Sequence, residues 1–290
     1  MTTTAATQPT AAAQPTAPAP SGPSAEPRVR LRGLLAAEWI KLWSLRSTRW
    51  VLGLGVLAVI AMAAQGSLDT YRSWPDYGPM ERAHFDPMTE ALSGVAVALL
   101  MIGAASVGAL SIVGEYASGL IRTTLTAVPA RHRVMTAKAA VVGGVMLAVG
   151  TVVSLGTFAV SQAILSGRGI GLSLGDPGVP RVLAANALLV PLSALVGLGI
   201  GAVLRHTAAA VVTACAVLVI LPLFFKPSVH QWANDLYGMF PLYAWRHCLS
   251  QLHPRSLPAL PTPTGSWLVF ALWPLVAVVV TVLVVRRRDV

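Results

Sequence analysis

Six stretches of the chain run free of charge for long enough to cross a bilayer, and they order everything between them. A hydrocarbon core about 30 Å thick needs about 20 apolar residues of helix. Trp50–Leu68 carries no charge and is apolar to Gly66, about 26 Å of helix at 1.5 Å per residue. The same pattern recurs further along, and the predicted spans are 50–66, 91–113, 139–165, 182–204, 207–225 and 267–285. No two read as copies of each other, so no internal repeat is expected. Only Arg205 and His206 separate the fourth and fifth. One helix through both would overrun the membrane, so Arg205 marks a tight hairpin, with Thr207 as the predicted N-cap. Glycines recur inside the spans, at 53 and 55, at 143 and 144, and at 197, 199 and 201. Gly197 and Gly201 form a GxxxG pair, which suits close helix packing in lipid.

The segments outside the spans are patterned too. In 34–49, Leu35, Trp39, Leu42 and Trp43 fall at helical spacing on one stripe, with Lys41 and Ser44 off it. Tryptophan favours the membrane–water boundary and basic residues favour anionic lipid, so this stretch reads as a helix lying on the inner leaflet. It turns into the first span near Arg49. Between the second and third spans, Glu115–Lys138 carries Leu120, Ile121 and Leu125 among Arg122, Arg131, Arg133 and Lys138. Pro129 stops a helix begun at Gly119. Glu115 falls at a helix C-terminus, where negative charge is disfavoured, which calls for a partner in Arg122 or the N-terminal basic helix. In the loop 226–266, Leu236–Trp245 is uncharged but too short to span, and reads as an interfacial or re-entrant segment.

Composition narrows the class. Of 290 residues, 55% are hydrophobic and 11% charged, and mean hydropathy is +0.68. Soluble domains are about a quarter charged, so an ordinary cytosolic enzyme is excluded, as are collagenous and coiled-coil chains. The net charge of +10 would suggest nucleic acid in a soluble protein. Here the charges sit between apolar runs, so they orient the chain and no nucleic-acid partner is expected. With the N-terminus inside, 14 of the 21 Lys and Arg face the cytoplasm, including Arg46, Arg49, Arg286, Arg287 and Arg288. Both termini are therefore expected to be cytoplasmic. Residues 1–27 hold six Pro, eight Ala, six Thr and one charge, Glu26. They are expected to be disordered. They lack the features of a signal peptide, so targeting falls to the first span.

Catalytic chemistry is missing from the pattern. There is no GxxxxGK[ST], GxSxG or HExxH. His230, Asp235, His247 and His253 have no ligand spacing, so no metal site is expected. Cys215 lies in an apolar run and Cys248 in a predicted loop, with no CxxC. Cys215 is expected at depth, and a mutual disulfide is not expected. The predicted span interiors contain no ionisable residue, which argues against an ion-coupled transporter. Asn186 and Cys215 stand isolated, without an evident partner.

Two stretches carry a family likeness. AEWIKLWSLRSTRW (Ala37–Trp50), followed by a span, looks like the N-terminus of actinobacterial ABC transporter permeases of the ABC-2 exporter class. GEYASGLIRTTLTAVPARHRVMTAKA (Gly114–Ala139) resembles the segment after their second helix. The likeness covers about residues 33–290 and implies that 34–49 is an interfacial elbow helix, and the six-helix permease domain is expected over 28–290. It implies an ATPase-coupling loop containing Glu115, Leu120, Ile121, Arg122, Leu125, Arg131 and Arg133. It also implies a cytoplasmic ATP-binding partner, a second permease as homodimer or heterodimer, and contact with membrane lipid. ATP would be bound by the partner, leaving this chain without a cofactor or catalytic residue. The expected protein is thus an all-α, polytopic membrane protein of the cell membrane: six transmembrane helices, an interfacial helix and an exporter's permease function. An integral membrane enzyme, or an anchor or assembly protein without transport, remains as the alternative.

Overall fold

The computed structural model describes residues 31–44, 46–128, 130–225, 230–252 and 262–287, apart from the side chains of Ala127, Gln231 and Cys248. The tail expected to be disordered, Pro129 and His253 lie outside the described residues. The described residues contain no strand. The helices, in chain order, are α1 (Leu31–Ser44), α2 (Arg46–Ser73), α3 (Pro79–His84), α4 (Pro87–Ala91), α5 (Gly94–Ala117), α6 (Leu120–Ala127) and α7 (Arg131–Ser166). They continue with α8 (Val179–Leu204), α9 (Thr207–Cys215), α10 (Leu221–Phe224), α11 (Gln231–Gly238), α12 (Pro241–Tyr243) and α13 (Pro263–Arg287). Six segments are long and apolar enough to cross a membrane: α2 with its short 3-10 extension to Asp76, α5, α7, α8, α9 through α10, and α13. Each corresponds to a predicted span. The helices mostly run past the charge-free intervals, because a helix need not end where the hydrocarbon does. The 36 residues of α7 make about 54 Å of helix against a core of about 30 Å.

Helix α8 occupies the centre and touches α5, α7, α9 and α13. Lipid is as apolar as leucine, so helices associate there through close packing, which small residues permit. A methyl group at Gly197 would overlap the Ala105 carbonyl, and one at Gly108 would overlap that of Ala194. One at Gly201 would come within 3.0 Å of the Ala109 oxygen. The predicted GxxxG pair is therefore half of a two-sided seam, with Ala105, Gly108 and Ala109 on α5 facing Ala194, Gly197 and Gly201 on α8. Gly150 makes a second close approach, from α7 to Ala187 of α8. A methyl group added at Gly53, Gly55 or Gly144 would meet nothing within 4 Å, so these three do not serve packing within this chain.

The α8–α9 hairpin turns at the expected residue. Arg205 adopts φ 54°, and its N–H donates to the Gly201 carbonyl at 2.9 Å. The N-cap is His206 and not Thr207: His206 Nδ1 accepts from the Ala209 N–H at 3.3 Å. Arg205 in the left-handed conformation and His206 in the extended one make the whole turn, so the helix begins at Thr207. The fifth span contains a π-helical turn, Ala216–Ile220, just before Pro222. The helix ends at Phe224, so the carbonyls at its C-terminus need donors from outside it. The Tyr243 hydroxyl donates to the Pro222 oxygen at 2.9 Å and to that of Phe225 at 3.1 Å.

Tyr243 belongs to the segment predicted as interfacial or re-entrant. It forms α11, α12 and a π-helical turn, Ala244–Leu249, packed against α13 and α8. Cys248 thus sits in a helical turn and not in a loop. Trp245 Nε1 donates to Asn186 Oδ1 at 2.7 Å, so Asn186 is not isolated. Its partner lies 59 residues away on another element, beyond the reach of local spacing. Cys215 is only half-buried. At the same end, Asp86 caps α4 through the Met88 N–H at 2.9 Å and also accepts from the Leu252 N–H at 3.1 Å. Arg181 holds the Gln251 and Leu252 carbonyls. These contacts tie the first and last connections of that end together.

The seam makes a direct prediction. Gly197→Ala inserts a methyl group into a backbone contact and should cost about 1–3 kcal/mol, the usual scale of overpacking. Gly53→Ala should be neutral or slightly stabilising. Thermal unfolding in detergent measures both, and equal midpoints for the two variants would refute the seam.

Candidate functional site

At the end of the bundle opposite Asp86 and Leu252, four charged side chains from three helices meet. Helix α1 lies across this end with Leu34 and Glu38, one turn apart, facing inward. They are 7% and 5% exposed. Lys41 follows on the same side, half-buried. The predicted stripe is placed differently: Leu35, Leu42 and Trp43 are half-buried, while Trp39 is 52% exposed. The inward face is rotated by about one residue because it carries ions as well as leucine. Arg49 of α2 donates to the Trp43 carbonyl from Nη2 at 2.8 Å and from Nε at 3.1 Å. This contact closes the last turn of α1 and sets the elbow between the two helices.

Glu115 arrives from the last turn of α5 and Lys138 from the third turn of α7, 7% and 3% exposed. Lys138 Nζ pairs with Glu38 Oε2 and, at 2.9 Å, with Glu115 Oε1. Lys41 Nζ pairs with Glu38 Oε1 at 2.8 Å and with Glu115 Oε1 at 3.0 Å. Two carboxylates and two ammoniums cancel, which is the condition under which buried ions are tolerated. Burial alone would pull the Lys41 pKa down. Glu38 and Glu115 outweigh it and hold the ammonium above its ordinary value. Lys41 therefore stays charged throughout the neutral range.

The partner expected for Glu115 in the N-terminal basic helix is Lys41. Arg122, the other candidate, is exposed, and the ammoniums of Lys41 and Lys138 take its place. Sequence patterning does not single out Glu38 and Lys138 as a pair. Lys138 sits at the edge of a charge-free run and reads as a loop end until α7 is seen to begin seven residues earlier. The Glu38–Lys41 spacing of three is the one local signal that could have exposed the cluster.

Helix α6 hangs directly from this cluster. Gly119 at φ 72° lets the chain reverse after α5. Lys41 Nζ also reaches Thr124 Oγ1 at 3.5 Å. Ile121 and Leu125 are buried, at 2% and 8% exposure, among Leu34, Ile112, Val134 and Met135. They anchor α6 to this chain and are not free for a partner. Leu120, at 42% exposure, and the exposed Arg122, Thr123 and Thr126 form the outer face. Arg133 is exposed beside it, while Arg131 is half-buried and donates to the Val285 carbonyl of α13 at 3.4 Å. Among the described residues, no group of three His, Cys, Asp or Glu is arranged to hold a metal.

Removing one member of the network should be costly. Lys138→Met leaves Glu38 and Glu115 sharing only Lys41, and should destabilise the fold by about 3–5 kcal/mol, the scale for an orphaned buried charge. Arg72, in an exposed 4.0 Å pair with Asp69, provides the comparison: Arg72→Met should cost no more than about 1 kcal/mol. Unfolding midpoints that do not separate the two variants would show that the network contributes little.

No curated protein matches this chain. A family model described as "ABC-2 family transporter protein" matches residues 39–290, from α1 through the last membrane-crossing helix. That range takes in most of the charged cluster, α6 and all six membrane-crossing segments, and the chain belongs to the ABC-2 transporter family, as a membrane-spanning permease.

Proposed function

We propose that this permease is the membrane subunit of an ATP-driven exporter, and that α6 is the element through which a separate ATP-binding subunit drives it. The observation that supports this reading is the division of α6 into two faces. Ile121 and Leu125 lock it to α1, α5 and α7, while Leu120, Arg122, Thr123 and Thr126 remain open to a partner. A helix rooted in this way transmits a push to three helices at once. ATP binds in the partner, two permeases pair to enclose the pathway, and no catalytic residue is required of this chain. The excess of Lys and Arg at the α6 end supports a cytoplasmic location for that end and for both termini.

The docking surface is then an apolar contact with a charge beside it. Arg122→Glu and Leu120→Asp should weaken co-purification with the ATP-binding subunit or uncouple hydrolysis from transport, at unchanged membrane abundance. Each should cost about 1–2 kcal/mol of binding, an ordinary hot-spot contact. Leu125→Ala belongs to a different class. It should lower stability by about 2–5 kcal/mol, as buried leucine truncations do, and any loss of coupling should follow loss of fold. If Arg122→Glu and Leu120→Asp both assemble and transport normally, α6 is not the docking element.

Orientation is tested separately. In a background carrying Cys215→Ser and Cys248→Ser, Ser173→Cys in the α7–α8 connection should react with a membrane-impermeant maleimide on intact cells. Thr126→Cys on α6 should react only after lysis. The reverse pattern would invert the topology.

A further inference from the structure

A cavity of about 470 Å³ lies where the α1–α2 elbow meets α5 and α7. Pockets of about 300–1,000 Å³ hold drug-sized ligands. At its polar end stand Ser44, Ser47 and Thr48, together with the four ions Glu38, Lys41, Glu115 and Lys138. About one to two helical turns deeper, the walls include Val51, Val107, Leu110 and Val141. Val51 and Leu110 are 54% and 48% exposed and stand on two membrane-crossing helices, so the deeper part opens sideways. A bilayer lipid can enter there without leaving the membrane.

The polar end presents donors and positive charge. Glu38, Glu115 and Lys138 are almost fully covered, with 5%, 8% and 3% of their side chains exposed. Lys41 keeps 26% of its side chain exposed. The network is neutral as a whole, yet its accessible member is an ammonium. Ser47 is exposed and Thr48 half-buried, both in the first turn of α2. Hydroxyls further along a helix often bond a carbonyl of the turn before. The first turn has none before it in its own helix, which leaves these two hydroxyls open to a ligand's oxygens. In α1 and the first turn of α2, the exposed ions are Arg32, Arg46 and Arg49, all basic. Helix α1 also turns Trp39 and Ile40 outward. Exposed aromatic and aliphatic side chains beside basic ones suit the boundary of a bilayer that carries anionic lipid.

We propose that this cavity is a binding site for one anionic phospholipid. Its phosphodiester oxygens accept from the Ser47 and Thr48 hydroxyls beside Lys41, and one acyl chain lies in the apolar part between Val51 and Leu110. A zwitterionic lipid brings the same acceptors but adds a quaternary ammonium to a basic elbow, which is the poorer match. The site requires only that the chain crosses a bilayer, and it stands whether or not α6 docks an ATP-binding subunit.

The test uses the full chain purified in dodecyl maltoside and titrated with three lipids of identical palmitoyl and oleoyl chains: phosphatidylglycerol, phosphatidylcholine and diacylglycerol. Native mass spectrometry reads the affinity of the first lipid bound. Phosphatidylglycerol should bind saturably and about tenfold more tightly than phosphatidylcholine, the scale of one basic residue near the head group. Diacylglycerol, without a phosphate, should bind most weakly. Ser47→Ala combined with Thr48→Val removes both donors and leaves the ion network intact. It should weaken phosphatidylglycerol about tenfold, the scale of a charge-assisted hydrogen bond, and change diacylglycerol little. Val51→Trp and Leu110→Trp narrow the apolar part from two sides and should each weaken all three lipids. Neither residue is buried, so both variants keep the test decisive if the hydroxyl variant fails to fold. Equal affinity for phosphatidylglycerol and phosphatidylcholine in the wild type overturns the proposal. So does graded, unsaturable binding that neither tryptophan diminishes, which is the attraction of a basic surface for any anionic lipid. Phosphatidylglycerol binding undiminished in a folded hydroxyl variant overturns it as well.

Discussion

The interior of a bilayer offers no water, and every polar group taken into it must find its partner within the protein. The arrangement of this chain follows from that constraint. Hydrophobic burial does not drive its helices together, because lipid is an equally good solvent for leucine. What remains is contact at close range and the satisfaction of polar groups. The α5–α8 seam answers the first, with backbone against backbone at Gly108 and Gly197. The second is answered at the two ends, by Asn186 with Trp245 at one and by four balanced charges at the other.

The two ends differ in how they are held. Near Trp245 the contacts are mostly neutral hydrogen bonds and stacked rings. Tyr237 lies on Tyr243 with centroids 3.5 Å apart and bonds His247 Nε2 at 2.8 Å. Burial, with Arg246 nearby, holds His247 below its ordinary pKa, so the ring favours the neutral form. At the α6 end the contacts are ionic and join elements that lie far apart in the chain. Glu38 and Lys138 are separated by 100 residues. Directional ion pairs of this kind fix register between helices that apolar faces alone would let slide.

How much could be read without a structure depends on the range of each interaction. The six spans were legible because hydrophobicity over about twenty residues is a local property and charge interrupts it sharply. The Arg205 hairpin was legible for the same reason. The elbow was legible as a helix but not in its orientation. The tryptophans mark a boundary stripe, while the face toward the protein is chosen by Glu38 and Lys41, whose partners sit on α5 and α7. Asn186 looked isolated because its donor comes from a segment with no spanning signal. Leu125 and Ile121 looked like a docking surface because an apolar face on a short helix reads the same whether it binds its own chain or another.

That last ambiguity bears on how a permease of this kind would work. A docking helix must be rigid relative to what it moves and open toward what moves it. Apolar anchoring by Ile121 and Leu125 supplies attachment, but it is non-directional and tolerates rolling of the helix. Lys41 adds one directional contact, its ammonium reaching Thr124 on α6 at 3.5 Å while pairing with Glu38 and Glu115. The same ion thus links α6 to α1 and, through Glu115, to the end of α5. The buried opposite charges themselves stand on α1, α5 and α7, so it is the register of these three helices that they hold. The buried network is thus better understood as fixing helix register than as a source of stability, since well-packed apolar residues could hold the same helices together at least as tightly.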